Sequence, residues 1–226
     1  KRPDDEDLAL LKRIEEMDIP YWFPTDHVPE GDKTGEPLRI GITHTHHYYT
    51  KRNLILGSKI FMYKNQLVKL LFQSISTRLI SKLTGYQLGK RGNVPISGTL
   101  YIPSLIAEAN PIKALEGKKE SFLNALSSIN MKGSNIISTT SSLDMRGLEH
   151  NTVEYIFTDP PFGANIMYSE LNFLWESWLK VRSNNESEAI VNKTQGKQLP
   201  EYQRLMEACF RVYYRVLKPD RWMTVE

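Results

Sequence analysis

Apolar and polar positions divide this 226-residue chain into alternating helical and strand-like segments. Residues 4–17 place Leu8, Leu11 and Ile14 on one stripe at helical spacing, which predicts an amphipathic helix. Residues 18–43 are broken by Pro20, Pro24, Pro29, Gly31, Gly35 and Pro37 and predict irregular chain. Thr50 is a helix cap in type. The helix it starts should run to about Phe72, carrying Leu56, Ile60, Leu67 and Leu71, with a second helical stretch ending near Leu83. Residues 85–92 predict a basic turn, 97–105 a strand, and 111–129 a helix. Ile136 and Ile137 predict the start of a strand leading to Asp144, and Val153 to Phe157 a buried strand. Ser169 is placed to cap a helix carrying Leu171, Leu174, Trp175, Trp178 and Leu179, with the tryptophans in the core. Residues 183–200 predict a polar, mobile loop able to close on a ligand. Residues 201–216 predict a helix, and Trp222 to Val225 a strand. Strands alternating with helices predict an α/β fold with a mainly parallel sheet.

Composition narrows the class. Hydrophobic residues make up 40% of the chain, enough for a globular core, and no apolar run approaches the ~20 residues of a membrane span. Lys1 to Glu6 have no apolar signal character, and the single cysteine, Cys209, fits a reducing, cytoplasmic compartment and a core position. His44, His46 and His47 have no carboxylate at ligand spacing, so they predict no metal site.

Charge is unevenly placed. Residues 1–50 hold 6 basic and 11 acidic side chains, and residues 51–100 hold 9 basic and none acidic. An acidic, Pro-rich arm (1–50) therefore precedes the remainder (51–226). The basic block is open to three readings: phosphate contact, a solvated helix face, or a face toward further chain. Tyr21-Trp22-Phe23 either anchors a loop to the core or stacks on a base.

The densest chemistry lies at Asp159-Pro160-Pro161-Phe162, directly after a predicted strand. Ligands of open α/β sheets sit at the carboxyl ends of strands. An aromatic amine is a poor nucleophile because its lone pair is delocalised into the ring. A carboxylate on Asp159 and the carbonyl of Pro160 offer two acceptors for its N–H groups. Two prolines hold the backbone rigid before a substrate arrives. Phe162 offers a face for stacking, and a base would have to be flipped out or single-stranded to reach it. Asn165 and Tyr168 come shortly after, and Lys193 lies in the polar loop. These three are candidate substrate contacts. The polar first turn after Thr50, with Arg52 and Asn53, is a candidate for cofactor or phosphate.

Asp159-Pro160-Pro161-Phe162 resembles the catalytic motif of the amino-group DNA methyltransferases, which methylate adenine N6 or cytosine N4 using S-adenosylmethionine. Asn151 to Thr158 is similar to the segment preceding that motif, and Tyr214-Arg215-Val216-Leu217-Lys218-Pro219 to a later turn before a strand. Stretches beginning at Tyr49, Ser97 and Tyr168 resemble a prokaryotic group of DNA methylases, so the resemblance spans most of the chain. It implies a Rossmann-like methyltransferase sandwich, incomplete in this chain, with residues 51–226 as the partial catalytic domain, S-adenosylmethionine as cofactor, DNA as partner and adenine N6 ahead of cytosine N4; Asp144 either accepts from the cofactor's adenine amino group or caps the next turn. Two features depart from it. No Phe-x-Gly-x-Gly cofactor loop is present, which implies a fragment whose missing half lies upstream in a longer polypeptide. Asp220 stands where the family usually has glycine. An RNA amino-methyltransferase and a non-catalytic nucleic-acid-binding module are the alternatives.

Overall fold

The computed structural model describes residues 2–76, 100, 108–129 and 133–226. The expected second helical stretch, the basic turn at 85–92 and all but Leu100 of the strand at 97–105 lie outside the described residues. In chain order the elements are α1 (Asp5–Glu16), α2 (Gly35–Arg39), a 3-10 turn (Thr45–Tyr48), α3 (Lys51–Phe61), α4 (Gln66–Ser76), α5 (Pro111–Ser128), β1 (Val153–Thr158), α6 (Tyr168–Leu179), α7 (Leu199–Val216) and β2 (Leu217–Val225). The described chain is mixed helix and strand, with one parallel pair of strands. It forms two compact units: Lys1–Asn130 with Glu170–Arg182, and Met131–Ser169 with Ser183–Glu226. Residues 2–50 thus belong to the same unit as α3, α4 and α5.

The first unit is organised around Trp178, which is fully buried. Its indole N–H donates to the Tyr49 hydroxyl at 2.9 Å. Phe72, Phe61 and Tyr49 pack around it at ring-centroid distances of 4.8, 5.5 and 5.9 Å. Such edge and tilted contacts suit the ring quadrupole. Burial pushes the Tyr49 phenol far above its usual range, outweighing the Trp178 hydrogen bond. Gly57 leaves room for this cluster, since a Cβ there would meet Phe72 at 3.2 Å. Glu170 is a second anchor. Its buried carboxylate accepts from the backbone N–H groups of Asp32 and Lys33 at 3.1 and 2.6 Å. The turn can close on it because residue 31 is glycine, as a Cβ would sit 2.3 Å from the Glu170 carboxyl carbon.

Two helix expectations change here. The helix from Thr50 does not continue to Phe72: it ends at Phe61, and the Asn65 side chain caps α4 by accepting from Leu67 at 2.9 Å. In α1, Asp4 and Asp7 form a reciprocal capping box, yet Leu8 and Leu11 stay exposed. Capping alone therefore defines where α1 starts, while its apolar stripe is not covered.

In the second unit α7 passes directly into β2, which runs parallel to β1. The register steps from Val153↔Leu217 to Tyr155↔Trp222, so residues 218–221 bulge out of the pair. Asp220, at φ 58°, makes that bulge. The position where the resemblance expects glycine is thus left-handed, and aspartate tolerates that conformation better than most residues. Two expectations are corrected. Ile136 and Ile137 form no strand and are almost fully exposed, with no neighbouring strand to pair with among the described residues. β1 is a strand but not a buried one. Tyr155 and Phe157 are more than half exposed, because a two-stranded sheet has no further layer to cover its faces.

Four histidine rings cluster in the first unit, with His46 and His47 at 4.4 Å and His27 and His44 at 5.2 Å. Burial, then the neighbouring His47 and His44, hold His46 below the ordinary imidazole range. The unfolded chain therefore takes up a proton at His46 more readily than the fold does. Stability should fall as pH drops below the ordinary histidine value of about 6.5. Thermal melts between pH 7.5 and 5.5 (values chosen to bracket about 6.5) should show this decline, and His46→Gln should flatten it. An unchanged slope in the variant would refute the assignment. Replacing Trp178 with phenylalanine should cost ~1–3 kcal/mol in chemical denaturation, since it strands the buried Tyr49 hydroxyl. Adding Tyr49→Phe should recover part of that loss.

Candidate functional site

The Asp159 turn begins at the carboxyl end of β1, where the Glu226 N–H donates to the Thr158 carbonyl at 3.0 Å. Two cross-chain bonds shape residues 161–163. The Tyr202 hydroxyl of α7 donates to the Pro161 carbonyl at 2.8 Å. The Val191 N–H donates to the Gly163 carbonyl at 3.2 Å. Gly163 itself is left-handed, at φ 59°, and turns the chain away from the prolines. A further bond, from Asn165 N–H to the Phe162 carbonyl at 3.3 Å, closes the bend.

Pinning Pro161 and Gly163 leaves two acceptors open. The Asp159 carboxylate is exposed and makes no hydrogen bond or ion pair among the described residues. The Pro160 carbonyl likewise accepts none of their hydrogen bonds. Phe162 is 57% exposed beside them. An open carboxylate, an open carbonyl and an exposed ring thus stand within four consecutive residues, on open surface. Asp159 lines none of the described cavities.

The loop at 183–200 is tied down in this structure. Ile190 and Asn192 are buried. The Glu188 carboxylate accepts from the Ser169 N–H at 3.0 Å and its hydroxyl at 2.6 Å. Ser169 is therefore not the cap that its sequence position predicts. It lies inside the first turn of α6, and Glu188 satisfies that turn from outside. The Asn192 amide reaches the Met167 sulfur at 3.2 Å, and Asn192 pairs with Lys197 in an isolated bridge. Lys193 sits at the tip of this bridge, where its carbonyl accepts from Gly196. Asn165 and Tyr168 are exposed next to the motif.

Asp144 lies in the same unit, at the edge of a cavity of about 470 Å³ lined with Leu143, Arg146, His150, Val212 and Arg215. Both carboxylate oxygens already accept from Arg146, at 2.6 and 2.7 Å. These bonds hold its carboxyl below the usual range. An adenine amino group would have to use the remaining lone pairs. Leu143 and Val212 are apolar residues of the lining beside it.

Thr50, Arg52 and Asn53 belong to the first unit. Thr50 caps α3 by accepting from the Asn53 N–H at 3.3 Å. Arg52 is engaged by Glu108, which also accepts from the Thr50 hydroxyl. Burial pushes the Glu108 carboxyl up, but the hydrogen bonds from Arg52 and Thr50 outweigh it, and the group stays below the usual range. Asn53 is buried. The candidate residues thus form two groups: Asp144, Asp159, Pro160, Pro161, Phe162, Asn165, Tyr168 and Lys193 in one unit, Thr50, Arg52 and Asn53 in the other. Sequence reading missed Tyr202, Glu188 and Glu108. None stands in a motif, and only the fold brings each to its partner. Burial raises the Cys209 thiol, as suits an unreactive side chain.

The chain matches no protein-family model, no curated protein and no solved structure. No described helix is long and apolar enough to cross a membrane. Among the described residues, no group of histidine, cysteine, aspartate and glutamate side chains is arranged to hold a metal ion.

The Tyr202 hydrogen bond has a measurable consequence. Tyr202→Phe should destabilise the second unit by ~0.5–1.5 kcal/mol. It should also speed amide hydrogen exchange at Phe162 and Gly163. Unchanged exchange there would show that the prolines alone hold the turn.

Proposed function

We propose that this protein methylates an exocyclic amine in DNA using S-adenosylmethionine, with adenine N6 favoured over cytosine N4. The reading places the chain in a Rossmann-like methyltransferase, as its amine-binding half, with the cofactor's glycine loop supplied by the remainder of a longer polypeptide. One observation carries it. Asp159 and the Pro160 carbonyl stand together at the end of a parallel strand with no partner among the described residues, while the next carbonyls are tied back. The open faces of β1 and β2 give further support, because a parallel sheet is normally covered on both sides.

Asp159 Oδ and the Pro160 oxygen would each accept one N–H of the amine. That draws the nitrogen toward tetrahedral geometry and localises its lone pair. Phe162 would stack on the base and keep the amine over the acceptors. S-adenosylmethionine supplies the methyl group, activated by a positive sulfur. The sulfur would keep the S–C bonding pair as the amine lone pair forms the N–C bond. The surplus amine proton passes to Asp159 or water. Acceptors that need no rearrangement suit this task, since preorganised dipoles stabilise charge where it develops. Asp144 would accept from the adenine end of the cofactor.

Labelled methyl transfer to DNA by the full-length polypeptide, with nucleoside mass analysis of the product, tests the reading. Activity should be lost in Asp159→Ala, with DNA affinity nearly unchanged. Transfer that survives in the variant refutes the role given to Asp159. Methylated amine found only in RNA would move the substrate to that class, and the absence of any methylated amine would leave the nucleic-acid-binding module.

A further inference from the structure

We propose that the first unit carries a separate cleft for an unpaired nucleotide, with the base on Trp22 and the phosphate between Lys69 and Lys180. Trp22 is 42% exposed. With Phe61, Met62, Lys69, Leu179 and Lys180 it lines a cavity of about 420 Å³. The indole is braced from inside, at 5.8 Å from Phe61 and 6.1 Å from Trp178. Trp22 thus anchors a loop by one edge, the first of the two readings of Tyr21-Trp22-Phe23, and leaves part of its ring open to solvent.

Charge selects the guest. The Lys180 ammonium lies 4.0 Å from the Trp22 ring centroid, and the Lys69 ammonium 5.3 Å from that of Phe61. Among the described residues, no carboxylate lines the cavity. Residues 51–76, which hold α3 and α4, carry five basic side chains and no acidic ones. Two ammonium groups reject a cationic guest, and a purely apolar guest would leave them without an anion. A planar ring joined to a phosphate satisfies both walls.

The backbone at Lys180 points the same way. α6 ends in a Schellman turn, with the Val181 N–H bonded to the Glu176 carbonyl at 3.1 Å and Lys180 at φ 58°. Glycine is the usual residue at that position. A lysine there is strained, and its contact with Trp22 offsets the strain while setting the ammonium at the mouth of the cleft. On binding, the ammonium would leave the ring for the phosphate and free the ring for the base. This assignment uses residues of the first unit alone and stands apart from the amine chemistry of Asp159.

Fluorescence anisotropy with the full-length polypeptide tests it. The probes are a short labelled single-stranded oligonucleotide, the duplex of the same sequence, and a nucleoside 5′-monophosphate as competitor. Trp22→Leu should weaken single-strand binding about tenfold, and Trp22→Phe should restore most of it. Lys69→Gln with Lys180→Gln should flatten the salt dependence by about 0.7 for each phosphate no longer neutralised. Neither lysine is buried, so this pair carries the test if Trp22→Leu disturbs folding by circular dichroism. Stronger binding of the strand than of the mononucleotide assigns the cleft to nucleic acid, and equal binding assigns it to a free nucleotide. Either supports the shared chemistry. Binding that ignores both sets of substitutions, or no binding of any probe, overturns it. Asp159→Ala should bind the strand normally, so a failure here is distinct from a failure of methyl transfer.

Discussion

The two hydrogen bonds that take up the Pro161 and Gly163 carbonyls are the constraint on which the turn at Asp159 depends. Proline rings fix φ, but they do not decide which way a carbonyl faces. Tyr202 does that for Pro161 from α7, and Val191 does it for Gly163 from the loop before α7. The Pro160 carbonyl and the Asp159 carboxylate are what remain. A pair of open acceptors beside an exposed ring thus results from which neighbours are already satisfied.

The same logic links the loop to the turn. Glu188, Ser169 and Gln195 bond to one another, and buried Asn192 ties the loop to Met167. Val191 lies between these fixed points, so its N–H arrives at Gly163 already placed. A segment whose composition suggests a mobile loop is held because its polar side chains satisfy one another and the first turn of α6. Asn192 is the buried member of the set, and a buried polar group is costly unless paired.

Much of the helical layout was legible from local chemistry. Asp4, Thr50 and Asn110 each cap a helix, and the capping bonds involve only residues two or three positions away. The helix expected over residues 111–129 is found as α5. Failures came where a partner had to be known. Ile136 and Ile137 have strand-forming side chains but no strand beside them among the described residues. Tyr155 and Phe157 read as buried, yet they need a second layer to bury them. The break before α4 came from Asn65, whose cap competes with helix continuation in a way that apolar periodicity does not register. Asp220 is the converse case. Its departure from the resemblance kept the left-handed turn, because a short polar side chain can occupy that region.

By itself the sequence determined the residue types at the β1 end, the cap of α3, and a basic block without acids. Each depends on spacing within a few residues. Tertiary structure alone decided that Arg52 is engaged by Glu108, that Asn53 is buried, that Asp144 is held by Arg146 within a cavity, and that Trp22 stands over a cleft with two lysines. Most of these join groups far apart in the chain. Even the short Asp144–Arg146 pair gains its cavity only from α7. Whether a polar group is free to bind a ligand depends on which distant group has already claimed it, and that is settled by packing.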